Sequence, residues 1–327
     1  MEIITANGID WVIAIQSLGG WLEPPMRLLT YLGSEDFFFI VLPLVYWSID
    51  SRIGLQIALV LSTSSILNSI FKLAFASPRP YWVSEQVRAY AAESSFGIPS
   101  GHAQYAVAIW SVMANGVRRR WAWIAALVLM LLIGASRVYL GVHFVQDVIA
   151  GWLIGAVILG VFMGLWNPVA DWLSGKTPAL QILLAFLVSL IAVVLGAWMV
   201  GRLDGYILPQ EWIDNALRAG AEPDPVTMEG ILTPAGSFFG LAAGAAWIAS
   251  RGGYQASGPV EKRALRYVVG LIGVLILWMG LGEVFPRDQN LLSYALRYIR
   301  YALVGFWVTA GAPWLFFHFK LAGRPKM

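Results

Sequence analysis

From Leu180 to Gly201 the chain carries no charged side chain, and long apolar runs of this kind recur along its length. No other feature constrains the fold as strongly. A hydrocarbon core about 30 Å thick needs roughly 20 apolar residues per helix. In lipid each backbone N–H and C=O must be satisfied within its own segment, so such runs read as helices. The expected spans are 36–49, 54–76, 101–117, 121–140, 146–166, 180–201, 231–250, 267–285 and 297–319, about nine in all. The stretch 10–31 mixes apolar residues with Glu23, Pro24, Pro25 and Arg27. It reads as an interfacial or re-entrant element within an N-terminal segment 1–35. The expected class is all-α, a polytopic membrane helix bundle.

Composition agrees and excludes the alternatives. The 327 residues are 58% hydrophobic and 13% charged, whereas an ordinary soluble domain is about 25% charged. A cytosolic two-domain enzyme or a disordered regulator needs more polar surface than this. The chain has no cysteine, which excludes a disulfide-stapled domain, a thiolate nucleophile and a thiolate zinc site. Met1 to Gly20 does not read as a signal peptide, because it has no basic start and Glu2 and Asp10 interrupt its apolar run.

The few charges are sorted. Arg118, Arg119 and Arg120 form one basic cluster, Lys262, Arg263 and Arg266 a second, and Lys320, Arg324 and Lys326 a third. All three fall on one side if the spans alternate, and basic clusters stay cytoplasmic. Loops 77–100, 141–145, 202–230 and 286–296 are then expected to face away from the cytoplasm. Trp47, Trp121, Trp123, Trp166 and Trp198 lie near span ends, where aromatic rings favour the interface. Gly236, Gly240 and Gly244 put small residues on one helix face, which suits close helix packing. His318, Glu283 and Arg287 also lie near span ends, and they read as structural.

Three segments place ionisable residues at span ends on the expected non-cytoplasmic side, and such residues at membrane depth default to function. Lys72 is followed by Arg79-Pro80, Pro99-Ser100-Gly101-His102 opens a span, and Ser136-Arg137 precedes His143 and Asp147. Lys72, Arg79 and Arg137 supply three cations for a phosphate carrying up to two negative charges, and arginine can clamp two oxygens at once. Ser100 suits an N-cap, which would aim the N–H groups of Gly101 and His102 at an anion. Glycine at 101 lets an oxyanion approach the backbone. His143 and Asp147 are four apart, so a helix puts them on one face. A carboxylate on one ring nitrogen frees the other to attack phosphorus. His143 is therefore the expected nucleophile and Asp147 its orienting partner. His102 is the expected acid for the leaving alkoxide and then the base for water. The expected path is a phosphohistidine intermediate followed by hydrolysis, with no metal and no cofactor. Tyr81, Trp82 and the 81–98 loop are expected to border the head-group entrance.

These segments resemble the three signature motifs of the type 2 phosphatidic acid phosphatase (PAP2) family, with every motif position matched between roughly residues 36 and 166. The resemblance implies a six-helix membrane core and metal-independent dephosphorylation of lipid phosphates. It also implies an active site on the outer or lumenal face. On that basis 36–170 is the catalytic core, and 171–327 holds the remaining core helix and extra transmembrane helices. A weaker resemblance, to sphingosine-1-phosphate phosphatases, rests on Leu32-Gly33-Ser34-Glu35-Asp36-Phe37-Phe38, Trp47-Ser48-Ile49-Asp50 and the extra helices. Those enzymes usually carry threonine where this chain has Gly101.

The expected function is hydrolysis of a lipid phosphomonoester or diphosphate. The expected location is integral to a cell inner or plasma membrane, or to the endoplasmic reticulum of a eukaryote. The partners are the lipid substrate and membrane lipids, not nucleic acid, because the formal charge of +3 is an orientation signal plus a phosphate clamp. The C-terminal helices could shape a lipid entrance, form a homodimer interface or extend the bundle. A phosphotransferase would use the same residues with an alcohol in place of water. A vanadate-dependent haloperoxidase shares such motifs but is soluble. A non-enzymatic lipid transporter would have no use for intact motifs.

Overall fold

The computed structural model describes residues 2–323, and residues 2–7 as backbone only. Arg324 and Lys326 of the third basic cluster lie outside the described residues. Among the described residues the regular structure is helical throughout. The chain divides into two compact units whose segments interleave. One comprises 1–38, 67–160 and 197–227, and the other 39–66, 161–196 and 228–327.

All nine expected spans are helical. Six stretches are long and apolar enough to cross a membrane: Ser51–Val83, Arg120–Tyr139, Val145–Ser174, Pro178–Gly201, Glu229–Ala249 and Val260–Val284. A seventh arises if Gly20–Tyr31 and Glu35–Ser48, which meet at a bend of 46°, count as one. The difference from nine has a physical cause at two positions. Helix α3 (Glu35–Ser48) has 14 residues and helix α6 (Gly101–Val117) has 17. Most of α6 is buried in protein, so it need not match the bilayer thickness.

In the first unit, α1 (Glu2–Gln16) and α2 (Glu23–Tyr31) dock on α7 (Arg120–Tyr139). Gln16 makes the joint, since its Nε2 donates to the carbonyls of Arg88 at 2.7 Å and Tyr139 at 2.9 Å. Segment 10–31 is thus two helices joined by a short 3₁₀ turn at Gly20–Leu22. Helices α6 and α7 form a hairpin that reverses at Arg118, whose φ of 56° places it in the left-handed region. Helix α8 (Val145–Ser174) then approaches α6 through two glycines. A Cβ at Gly151 would lie 2.5 Å from the Ser100 carbonyl oxygen, and one at Gly155 would lie 2.7 Å from that of Gln104. Any side chain there would push the two backbones apart.

The loops of this unit are braced by aromatic rings. Trp82, on the short helix α5 (Pro80–Val83), is fully buried against Phe96 and Trp212, and Asn215 donates to its carbonyl at 2.8 Å. Trp212 and Asn215 belong to α10 (Gln210–Arg218), within the 202–230 loop. Tyr81 and Trp82, expected at a head-group entrance, are therefore interior braces (2% and 0% exposed).

The second unit is built on close packing. Helix α11 (Glu229–Ala249) meets α14 (Leu291–Phe306) through Gly236 and Gly240, whose missing side chains leave room for the Tyr298 and Ala302 carbonyls. Gly244 continues that face against Thr309. Two residues read as interfacial or orienting are instead buried in this unit. Trp47 is 0% exposed and donates to the Val308 carbonyl at 2.8 Å. Arg266, on α12 (Val260–Leu275), is 1% exposed and donates to the carbonyls of Leu321, Ala256 and Ser257 at 3.0, 2.9 and 2.7 Å. A buried guanidinium needs such a set of acceptors to offset its lost hydration.

Candidate active site

The first unit brings the expected site residues together from five helices and a loop. Lys72 lies in the last turn of α4 (Ser51–Phe75), and Arg79 occupies the N-cap position of α5. Ser100 occupies the N-cap position of α6, with Gly101 and His102 in its first turn. Arg137 ends α7, His143 lies in the following loop, and Asp147 is in the first turn of α8.

The histidine–carboxylate pair is buried, at 1% exposure for each residue. His143 Nδ1 lies 3.3 Å from Asp147 Oδ2, and the same oxygen accepts from the Phe144 N–H at 3.0 Å. The backbone carbonyl of Asp147 accepts from the Ser100 N–H at 2.9 Å, tying the start of α8 to the start of α6. With Nδ1–H facing the carboxylate, Nε2 holds the free lone pair. Burial, then the flanking Arg79 and Arg137 guanidiniums, hold the His143 ring well below the usual imidazole range, so it stays neutral.

Arg79 is fully buried and its five N–H donors are all directed at acceptors. Nε donates to the Ser95 carbonyl at 2.6 Å. Nη2 donates to the Ser95 hydroxyl at 3.0 Å and the Phe96 carbonyl at 3.1 Å. Nη1 donates to the Val142 carbonyl at 2.9 Å and lies 3.4 Å from His143 Nε2. Lys72 Nζ donates to the same Ser95 hydroxyl at 2.8 Å. Arg137 Nη1 donates to Thr30 Oγ1 at 2.7 Å, its Nη2 donates to Glu93 Oε1, and its Nε is buried without a partner.

Glu93, Ser95 and Thr30 were not expected. Glu93 ion-pairs with Arg137 and lies 3.8 Å from Arg79. Its burial would raise its carboxyl pKa, but Arg137 and then Arg79 outweigh that and hold it well below the usual carboxylate range. The signal was charge balance, because three converging cations need a counter-ion and the 81–98 loop offers only Glu85 and Glu93.

At the mouth of α6, Ser100 is fully buried and sits in the extended N-cap conformation, yet it makes no side-chain cap bond. Its Oγ is buried without a partner. Space beside Gly101 is limited, since a Cβ there would lie 3.2 Å from Asn68 Oδ1 and 3.3 Å from the Tyr105 ring. His102 is half-buried, within electrostatic reach of Arg137, Glu93, Lys72 and Arg79. Three cations, a neutral imidazole with an oriented lone pair, a second imidazole and an orphaned hydroxyl therefore share one site. Such a set suits phosphoryl transfer.

Residues 53–170 match the family model described as the PAP2 superfamily, and residues 232–324 match its phosphatase transmembrane extension. Glucose-6-phosphatase 3 of Bos taurus is 27% identical over 366 aligned positions, covering 100% of this chain and 99% of that one. Phosphatidylglycerophosphatase B of Bacillus subtilis is 31% identical over 157, covering 44% of this chain and 75% of the relative. Sphingosine-1-phosphate phosphatase 2 of Mus musculus is 27% identical over 158, covering 46% and 44%.

Proposed function

We propose, from the premise that this chain belongs to the PAP2 superfamily and is a membrane phosphoric ester hydrolase, that it hydrolyses a lipid phosphate through a phosphohistidine at His143. The observation that carries this reading is the buried His143–Asp147 pair, whose Nε2 lies 3.4 Å from Arg79 Nη1 at the cation cluster.

His143 Nε2 forms a bond to phosphorus while the phosphorus–oxygen bond to the lipid breaks. His102 gives its proton to the departing alkoxide. Water then attacks phosphorus, His102 takes a proton from it, and the nitrogen–phosphorus bond breaks to release phosphate. Asp147 holds the ring and stabilises the charge that develops on it. Lys72, Arg79 and Arg137 bind the phosphate oxygens, aided by the Ser100 hydroxyl and the Gly101 N–H. Among the described residues, no three His, Asp or Glu side chains group in metal-binding geometry, and the cations supply the electrostatic role themselves. EDTA is expected to leave activity unchanged.

Glu93 completes the resting site. Its carboxylate bridges Arg137 towards Arg79, where a phosphate would otherwise balance their charge. Substrate phosphate then exchanges with Glu93 on Arg137. Arg79 reaches the phosphate by exchanging one acceptor, the Ser95 hydroxyl, for a phosphate oxygen.

The active site faces away from the cytoplasm, because the basic loop Arg118–Arg120 lies at the opposite end of α6 and α7. Residues 36–170 carry the catalysis, and the later helices extend the bundle. A lipid phosphate is the first reading for the substrate, as Phosphatidylglycerophosphatase B is 31% identical and is matched over 75% of its length. A sugar phosphate is the second, since the alignment with glucose-6-phosphatase 3 covers both chains end to end. The deciding experiment is phosphate release by wild type and His143→Ala. The panel is phosphatidylglycerophosphate, phosphatidate, lysophosphatidate, sphingoid-base phosphate, polyprenyl diphosphate and glucose 6-phosphate. The lipid reading expects turnover of a lipid member, and release from glucose 6-phosphate alone would overturn it.

A further inference from the structure

The second unit holds a cavity of about 350 Å³ that contains none of the catalytic residues. Its lining combines the apolar Trp278, Met279 and Phe285 with Arg287, Arg297 and Arg300 and one carboxylate, Glu283. Apolar side chains together with an excess of cations suit an amphipathic anion.

The backbone here is irregular. Trp278 and Met279 lie on a π-helical turn, Ile276–Gly280, that interrupts the apolar stretch Val260–Val284. Such turns cost regular hydrogen bonding and are frequent at functional sites. Two residues beyond this turn, Gly282 makes room for the Arg300 guanidinium, as a Cβ there would lie 2.8 Å from Nη1.

The charges do not cancel. Arg297 ion-pairs with Glu229, and Arg287 lies 3.8 Å from Glu283. Arg300 has no carboxylate partner among the described residues. It donates to the Tyr301 hydroxyl at 3.1 Å, and its Nε is buried with no hydrogen-bond partner. Three guanidiniums against two carboxylates leave one positive charge, next to an unused donor and an indole.

We propose that this cavity holds the phosphodiester head group of an anionic phospholipid. A phosphodiester carries one negative charge and accepts the two-pronged donation that arginine offers. Trp278 and Met279 lie against the glycerol and the start of the acyl chains. Lys72, Arg79 and Arg137 take no part, so the site stands whether or not the substrate reading is correct.

The test is native mass spectrometry of the full-length protein in detergent. It is exposed separately to dioctanoyl phosphatidylglycerol, dioctanoyl phosphatidylcholine and inorganic phosphate. Arg287→Gln and Arg300→Gln are compared with wild type, and Arg119→Gln controls for general surface charge. Arg287 is exposed, so its substitution leaves the fold intact. Wild type is expected to retain one more phosphatidylglycerol than phosphatidylcholine. Its affinity is expected to fall about tenfold in Arg300→Gln and less in Arg287→Gln, and to stay unchanged in Arg119→Gln. Equal retention of the two lipids, or an affinity unchanged from wild type in both cavity variants, would overturn the proposal. Displacement of phosphatidylglycerol by equimolar inorganic phosphate would overturn the lipid assignment.

Discussion

The Glu93 carboxylate accepts a hydrogen bond from Arg137 Nη2, so the resting site carries its own anion where the proposed mechanism needs the substrate's. Replacing Glu93 by glutamine keeps the shape and removes the charge. Phosphate and vanadate should then inhibit roughly tenfold more tightly, and KM should fall. Steady-state inhibition with wild type and Glu93→Gln measures this. Weaker inhibition by both ions would mean that Glu93 is needed to hold Arg137 in place and does not compete with substrate.

The pH behaviour of His143 follows from its surroundings. Burial and the neighbouring guanidiniums lower its folded-state pKa, so the neutral form persists below the usual imidazole pKa of about 6.5. The unfolded chain takes up this proton first as pH falls. The neutral ring therefore favours folding above about pH 6.5, and that stability declines as pH drops from there towards the folded-state value. The chain has 3 histidines, so nitrogen NMR of histidine-labelled free enzyme can follow each one. The resonance missing from His143→Ala should stay in the neutral form at pH 6, and protonation there would contradict the nucleophile's resting state.

Ser100 separates binding from folding. Its hydroxyl makes no cap bond, so Ser100→Ala should leave the melting temperature nearly unchanged, against about 1 kcal/mol for loss of a working cap. The lost hydroxyl should appear in catalysis instead, as a fall of roughly tenfold in kcat/KM. Thermal unfolding and kinetics on the same preparation distinguish the two. Destabilisation with unchanged kinetics would make Ser100 a structural cap.

Topology can be read with an impermeant thiol reagent, since the native chain has no cysteine. Gln86 and Arg119 are both exposed. A cysteine replacing Gln86 should react from outside intact cells, and one replacing Arg119 should react only after lysis. The reverse pattern would place the active site on the cytoplasmic face.

Much of this was legible in the sequence, and the gaps have physical causes. Lys72, Arg79, Ser100, His102, Arg137, His143 and Asp147 stood out because ionisable residues at span ends are costly. The helical class followed from the apolar runs. Span number was harder, because a helix such as α6, sheltered by protein, is freed from the length that lipid demands. Trp47 and Arg266 read as interfacial and orienting because position near a span end is all that sequence reveals. Their burial depends on carbonyls far along the chain, Val308 and Leu321. Glu93 and Thr30 escaped for the same reason, since their partner Arg137 lies on another helix.

The central claim is that phosphorus bonds covalently to His143 during turnover. The most direct measurement is acid-free quenching of enzyme mixed with a ³²P-labelled substrate from the panel, followed by peptide mapping. The account predicts an acid-labile, base-stable label on the peptide containing His143, abolished together with turnover in His143→Ala. A label on another residue, or undiminished turnover by His143→Ala, would contradict it.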